Sequence, residues 1–139
     1  AKLARAREMG ADFTVNYRDR PDWAAALLEA TGGRGADVVV DTLGFPALGE
    51  TVRATGVNGR IGTLGALSGT PQDTASASQG EIIGKNLTIK GIASGSRAML
   101  AAALEVIDRS GIAMLVDRTF PLAEAPAAYR HLDSGAHMG

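Results

Sequence analysis

The sequence predicts an α/β fold built on a doubly wound parallel sheet. Segments with helical periodicity alternate with short β-branched segments along the chain, which is the order of a parallel sheet with helical crossovers. The run Val38-Val39-Val40 lacks polar alternation, which is typical of a strand covered on both faces. Most of the 18 glycines stand where a helix or strand would end.

The individual elements follow from periodicity and from the residues that end them. Lys2 to Met9 predicts a helix that ends at Gly10, and Ala11 to Tyr17 alternates as a short strand. Ser96 is placed to cap an amphipathic helix from Arg97 to Arg109. The remaining predictions are helices over 21–30, 46–55, 81–84 and 122–132, strands over 37–43, 60–67, 87–93 and 116–120, and a tight turn at 58–59.

Composition argues against several classes of function. The chain of 139 residues is 45% hydrophobic and carries a net charge of -1, so it has no general attraction to nucleic acid or to an anionic membrane. It contains no cysteine, which excludes disulfides and thiolate zinc ligands within it. We therefore expect a cytoplasmic protein with no zinc bound by this chain and with no nucleic-acid or membrane partner.

The carboxyl ends of the predicted strands are the candidate ligand site. Ligands of doubly wound sheets bind in the crevice beyond these ends. Glycine at two of the ends would let a flat ring or a phosphate approach backbone amides, although glycine after a strand is also ordinary turn chemistry. The four ends are Asn16 to Tyr17, Asp41 to Gly44, Leu64 to Leu67 and Ile92 to Ser94.

Six stretches carry a resemblance to a known family. They are Lys2 to Asp12, Val15 to Tyr17, Thr31 to Asp41 (TGGRGADVVVD), Asn58 to Ile61 (NGRI), Lys90 to Ile92 and Phe120 to Arg130. In this order they are similar to the medium-chain dehydrogenase/reductase family, and Ser94 to Met99 (SGSRAM) resembles its quinone-reductase-like and zinc-lacking alcohol dehydrogenase members. The resemblance implies the Rossmann-type cofactor domain of an oxidoreductase that transfers hydride between a nicotinamide and an alcohol or carbonyl, an enone or a quinone.

The same resemblance implies NADP or NAD as the cofactor and assigns a part of it to each strand end. It implies a lysine near the adenosine phosphate and a tyrosine near the adenine ribose. The alternative interpretations are that the lysine is solvated and that the tyrosine is an ordinary residue at the end of a strand. The matching residues are Lys2, Tyr17, Leu43 and Gly44 at the adenosine end and Leu64, Gly65, Leu67, Ile92, Ala93 and Ser94 at the nicotinamide end. In the family, the stretch that matches Ile92 to Ser94 also forms the sheet edge through which two subunits pair, so we expect a homo-oligomer through this edge.

The resemblance covers part of a cofactor domain. The first two strands of the family domain, its glycine-rich pyrophosphate turn, its last strand and its catalytic domain have no counterpart in these residues. Two missing strands would leave a gap of about 14 Å in the sheet at about 4.8 Å per step. We expect the isolated chain to repack, to pair with another copy or to belong to a longer polypeptide, and to bind cofactor weakly without turnover.

No residue of the sequence is assigned to catalysis. Asp37 and Asp41 would lie about 13 Å apart along a strand at about 3.3 Å per residue, too far to act on one atom. His131 and His137 show no orienting partner in the sequence and are interpreted as surface residues. Ser96 has no base at a suitable spacing, so it is a helix cap and not a nucleophile.

Two other functions stay open on the residues alone. One is a catalytically silent nucleotide-binding or dimerisation module, and the other is a methyltransferase core, which shares the doubly wound pattern. The segment around Lys2 and the stretch Ala128 to Arg130 favour the dehydrogenase.

Overall fold

The computed structural model describes residues 2–65 and 77–138, which divide into two units, Ala1–Ser94 and Gly95–Gly139. The first unit contains α1 (Lys2–Glu8), α2 (Trp23–Ala30), β1 (Ala36–Asp41), a 3-10 turn (Phe45–Ala47), α3 (Leu48–Ala54), β2 (Thr55–Thr63), α4 (Gln79–Gly84) and β3 (Thr88–Gly91). The second contains α5 (Arg97–Arg109), a 3-10 turn (Leu122–Glu124) and α6 (Ala125–Asp133).

The described strands form one parallel sheet in the order β1-β2-β3. Val39, Ile61 and Ile89 are in register across it, so they share one face. Helices connect β1 to β2 and precede β3, as crossover connections between parallel strands require. The predicted α/β class with a parallel sheet is confirmed.

The core of the first unit lies between the sheet and α3. Ile61 on β2 and Val52 on α3 are fully buried, and α3 contacts both β1 and β2. Helix α2 packs against α3 through Ala24 and Ala26, whose small side chains let the two helices approach closely. Glu50 of α3 accepts a hydrogen bond from the Ala24 amide at 3.1 Å and joins the two helices.

The opposite face of β1 is open, contrary to the prediction that the valine run is covered on both faces. Val38 and Val40 are each 65% exposed, whereas Val39 between them is half-buried. Alternate side chains of a strand point to opposite faces, so the exposed pair marks one uncovered face. Among the described residues, α3 covers only the face that carries Val39.

Two predicted strands do not form. Neither 11–17 nor 116–120 is a strand, because no described strand pairs with either segment. A side-chain contact holds the first segment instead, since Arg7 Nε donates to Thr14 Oγ1 at 2.8 Å. Alternating hydrophobicity is compatible with a strand, but only a hydrogen-bonded neighbour makes one.

Strand β2 begins earlier than predicted, directly after α3. The expected turn at 58–59 lies inside the strand, where Asn58 has a left-handed backbone with φ of 59°. Its amide donates to the Lys85 carbonyl at 2.7 Å, and its Oδ1 accepts from Asn86 Nδ2 at 2.8 Å. The residue type suits a turn conformation, and the strand accommodates it with an irregular register between Ala36 and Val38.

The second unit confirms the predicted cap of α5. The Met99 amide donates to Ser96 Oγ at 3.2 Å, and Gly111 follows the helix with φ of 61°. The helices of this unit contain no fully buried residue. Leu100 and Leu104 of α5 are both more than half exposed.

Candidate functional site

A cleft of about 470 Å³ lies at the carboxyl ends of the three strands. We call it the strand-end cleft. Its wall comes from the loops that follow β1 and β2 and from the end of β3. The lining residues are Gly44, Phe45, Leu48, Thr63, Leu64, Gly65, Ile89, Gly91, Ile92 and Ala93.

Asp41 fixes both loops of this cleft. It is the last residue of β1, it is only 4% exposed, and its Oδ1 accepts the amides of Leu43 and Gly44, each at 2.9 Å. Its main-chain carbonyl oxygen accepts the amides of Leu64 at 2.9 Å and Gly65 at 3.3 Å. One residue therefore bonds the backbone of both loops, through its side chain in one and through its main-chain carbonyl in the other.

The two loops meet at glycines. A Cβ atom on Gly44 would overlap the carbonyl oxygen of Gly65, and a Cβ atom on Gly65 would overlap the carbonyl oxygen of Thr42. Gly44 also has a φ of 79°, a backbone conformation that glycine adopts far more readily than other residues. The cleft keeps this shape only with glycine at both positions.

The strand-end cleft suits a flat, uncharged ring next to polar backbone groups. Its side chains are apolar apart from Thr63, and none of its described lining residues is ionisable. A Cβ atom on Gly91 would meet nothing within 4 Å, so the space above the end of β3 is open. Ring systems bind in such sites through apolar contact, with a few backbone groups fixing their orientation.

A second cleft of about 400 Å³ lies on the other side of the loop after β1, and we call it the Trp23 cleft. Tyr17 and Trp23 supply its aromatic surface, and Trp23 is the only tryptophan of the sequence. The other lining residues are Val15, Pro21, Leu43, Pro46, Ala47 and Glu50.

Glu50, the acidic residue among the described lining of the Trp23 cleft, makes several contacts with α2 and α3. Glu50 accepts from Ala24 and pairs with Arg53, which also lies 3.1 Å from Asp22. The negative charge of Glu50, with that of Asp22, raises the pKa of Arg53 above its ordinary value. Glu50 therefore serves first to join α2 and α3.

The structure brings together most of the residues that the sequence predicts as a site. Gly44, Leu64, Gly65, Ile92 and Ala93 line the strand-end cleft, and Tyr17 and Leu43 line the Trp23 cleft. Lys2 on α1 and Ser94 line neither cleft. Leu67 lies outside the described residues.

Sequence reasoning missed several lining residues. Phe45 and Leu48 follow Gly44 directly, so their position after a strand end is a signal that could have found them. Trp23 and Glu50 come from two different helices. Only the packing of α2 on α3 brings these two residues to one cleft, and no local sequence pattern predicts this packing.

A separate cluster of polar side chains lies in the second unit. Asp117 Oδ2 lies 2.7 Å from His131 Nε2, and Asp117 Oδ1 accepts the Met138 amide at 3.2 Å. These hydrogen bonds lower the pKa of Asp117, with that from His131 contributing most. The ring of His137 lies 6.2 Å from that of His131, and both line a cavity of about 290 Å³. His131 thus has an orienting partner, which the sequence did not reveal because 14 residues separate the two.

Within residues 2–65 and 77–138, no three histidine, cysteine, aspartate or glutamate residues are grouped so that they could hold a metal ion. In the same part of the chain, no helix is both long enough and apolar enough to cross a membrane.

Comparison with known proteins gives a consistent result. The family model described as "Zinc-binding dehydrogenase" matches residues 1–109. A zinc-type alcohol dehydrogenase-like protein of Schizosaccharomyces pombe is 33% identical over 140 residues, which covers 99% of this chain and 40% of that protein. A 2-haloacrylate reductase of Burkholderia is 27% identical, which covers 99% of this chain and 43% of the reductase.

Solved structures agree in fold. The crystal structure of an NAD-dependent alcohol dehydrogenase is 33% identical to this chain and superposes with a TM-score of 0.84, over 99% of this chain and 39% of that one. The chain thus spans about two fifths of the length of the proteins that it matches.

Proposed function

Because the chain belongs to the zinc-binding dehydrogenase family, we propose that it is the nicotinamide-binding part of an NAD(P)-dependent oxidoreductase. The observation that carries the proposal is the strand-end cleft, whose two loops are held by Asp41 and meet at Gly44 and Gly65. A doubly wound sheet binds its ligand at this end. The cleft is apolar and bordered by backbone groups, as a nicotinamide ring requires.

When it is bound, the nicotinamide supplies the hydride that an alcohol, carbonyl, enone or quinone exchanges with it. The residues of this chain bind and orient the cofactor. Leu64 and Ile92 provide apolar contact for the ring and exclude water from its face. The resemblance to the family supports the backbone from Ile92 to Ser94 as the group that bonds the carboxamide. No side chain of this chain is assigned to proton transfer.

The adenosine end belongs to the Trp23 cleft in this proposal. Tyr17 and Leu43 supply flat and apolar contact for the adenine and its ribose. Lys2 supplies a positive charge for a phosphate, which would favour NADP over NAD. The resemblance to known dehydrogenases supports Lys2, which lies on α1, in this role.

The names of the relatives point to more than one class of substrate. Their names include alcohol dehydrogenases and a reductase of 2-haloacrylate, a conjugated acid. We propose a carbonyl, enone or quinone for the parent enzyme, with an alcohol as the reverse substrate. We also propose that this chain alone binds cofactor weakly and catalyses no reduction, and that zinc, where the parent enzyme uses it, is bound outside this chain.

Trp23 makes the proposal testable. Titration of the chain with NADPH and with NADH should quench Trp23 emission saturably, because reduced nicotinamide absorbs where tryptophan emits. Ile92→Glu places a charge in the strand-end cleft and should raise the dissociation constant by at least about tenfold. Ile83→Glu is the matched control, since Ile83 is 69% exposed on α4 and lines neither cleft.

The proposal fails if the emission does not saturate with either nucleotide, or if both glutamate variants bind like the unaltered chain. Replacing Lys2 by alanine tests the phosphate contact. Its loss should weaken NADPH binding and leave NADH binding unchanged.

A dimerisation module is the second candidate, and the edge of the sheet favours it. Strand β3 is the outer strand of the described sheet, and its four residues, Thr88–Gly91, are all exposed. Such an edge presents unpaired backbone groups to a second copy. Sedimentation analysis should show a dimer that Ile89→Lys disrupts, whereas a monomer at all concentrations would rule this candidate out.

A further inference from the structure

We propose that Asp41 is a positioning residue that holds the strand-end cleft and the Trp23 cleft in shape together. The inference rests on the proposed cofactor function, because it treats the two clefts as the two ends of one dinucleotide site. Asp41 lines neither cleft, so its contribution passes through the loops that it holds.

The first argument is that the contacts of Asp41 converge. The side chain holds the loop after β1 through the amides of Leu43 and Gly44, and the main-chain carbonyl holds the loop after β2 through Leu64 and Gly65. The contact of Oδ1 with the Leu43 amide is partly buried, and that with the Gly44 amide is buried. Removing the carboxylate frees two amides of one loop and loosens its contact with the other.

The second argument is that neighbouring residues serve different clefts. Leu43 lines the Trp23 cleft, and Gly44 lines the strand-end cleft. Both amides bond the same oxygen, Asp41 Oδ1. A change at this oxygen therefore shifts a wall of each cleft, which a residue that lines only one cleft would not do.

The third argument comes from the other carboxylate oxygen. Asp41 Oδ2 is buried and has no hydrogen-bond partner among the described residues. The described loop contacts of the side chain therefore depend on Oδ1. Asparagine keeps the accepting oxygen and replaces only the unused one, and alanine removes both.

The experiment compares Asp41→Ala and Asp41→Asn with the unaltered chain. Val52→Ala is the control for stability, since Val52 is fully buried on α3 and lies outside both clefts. Amide exchange is measured without ligand at positions 43, 44, 64 and 65. Dissociation constants are measured for NADPH by the quenching of Trp23 emission and for 5'-AMP by the recovery of that emission as 5'-AMP displaces NADPH, at a temperature where every variant is folded.

For Asp41→Ala we expect amide exchange at positions 43 and 44 to rise about tenfold or more, because these two amides lose their acceptor. Both dissociation constants should rise about tenfold, because the loop after β1, which lines each cleft, is no longer held in place. Asp41→Asn should remain within about threefold of the unaltered chain in both measurements. Val52→Ala should lower the unfolding midpoint without raising either dissociation constant.

Unchanged affinities in Asp41→Ala, with normal binding by the unaltered chain, would overturn this inference and leave the proposed function intact. Equal losses in Asp41→Ala and Val52→Ala would also overturn it, because the effect would then be general stability. If the unaltered chain binds neither NADPH nor 5'-AMP, the proposed function itself fails, and the role of Asp41 toward a cofactor fails with it.

Discussion

Gly44 and Gly65 come from loops after different strands, and they meet backbone against backbone, so that a methyl group on Gly44 would overlap the carbonyl oxygen of Gly65. Asp41 brings them there, since it bonds the amides of both residues. Close approach of two backbones explains why glycine occurs at both strand ends. Turn chemistry alone would account for only one of them, because Gly44 has a positive φ and Gly65 does not.

Replacing Gly44 by alanine should destabilise the first unit. The strained backbone conformation alone costs about 1–3 kcal/mol for a residue other than glycine, and the overlap with Gly65 adds to it. Urea unfolding followed by Trp23 emission measures the loss. Gly84→Ala is the control, because a Cβ atom there would meet nothing within 4 Å. If both variants unfold at the same urea concentration, the backbones of Gly44 and Gly65 do not approach as closely as described.

Lys85 should contribute more to stability than an ordinary surface lysine. Its Nζ donates to the carbonyl oxygens of Val52 and Arg53 at 3.0 and 2.9 Å, at the end of α3 where carbonyl groups lack helical partners. Lys85→Met keeps a side chain of similar length and removes the charged donor, so we expect a loss of about 1–3 kcal/mol in the free energy of unfolding.

Lys90→Met is the matched control for that prediction. Lys90 is exposed on β3, and its replacement should change the free energy of unfolding by less than about 0.5 kcal/mol. Equal effects of the two methionine variants would show that the contacts of Lys85 with α3 add nothing.

The Asp117–His131 pair should stabilise the second unit at neutral pH, and this contribution should be lost at low pH. The pair lowers the pKa of Asp117 below its ordinary value of 3.8. A carboxyl group of this kind stabilises the fold above its unfolded pKa, and the contribution is lost as the pH falls through its folded pKa. We therefore expect amides of Gly95–Gly139 to exchange faster, relative to local intrinsic rates, as the pH falls from about 5 to about 2.

Asp117→Asn should remove this part of the pH dependence, and it should lower protection at neutral pH because the charged acceptor is gone. Asp133→Asn, at the exposed end of α6, removes the same charge from a side chain that does not hydrogen-bond to His131 and should leave the dependence in place. A pH profile that is identical in the unaltered chain and in Asp117→Asn would contradict the prediction.

The open face of β1 should control aggregation. Val38 and Val40 are two-thirds exposed side by side on a strand, and an exposed apolar strand is a site for association with other chains. Val38→Thr with Val40→Thr should slow aggregation, measured by light scattering, and change the free energy of unfolding by less than about 0.5 kcal/mol per site.

Val39→Thr provides the comparison for the open face, because Val39 shares the covered face with the buried Ile61. A hydroxyl group there is partly buried and should cost at least about 1 kcal/mol in the free energy of unfolding. If it proves as harmless as the double variant, then the two faces of β1 do not differ as described.

The sequence by itself determined the features that depend on neighbours along the chain. The cap of α5 by Ser96 needs only a hydroxyl three residues before a free amide, and the left-handed Gly10 and Gly111 need only the end of a helix. The positions of the two loop glycines were predictable in the same way, since Gly44 and Gly65 stand at the ends of the predicted strands 37–43 and 60–67. Short-range geometry is sufficient for all of these, so periodicity and residue type could predict them.

The tertiary structure decided whatever needs a partner distant in sequence. Segments 11–17 and 116–120 are predicted as strands yet are not strands, because pairing requires an adjacent strand and not only a pattern. The division of the site into two clefts depends on α2 packing against α3, which brings Trp23 beside Leu43. The bonds from the main-chain carbonyl of Asp41 to the loop after β2 and the Asp117–His131 pair are likewise contacts between residues distant in sequence, which only the folded chain creates.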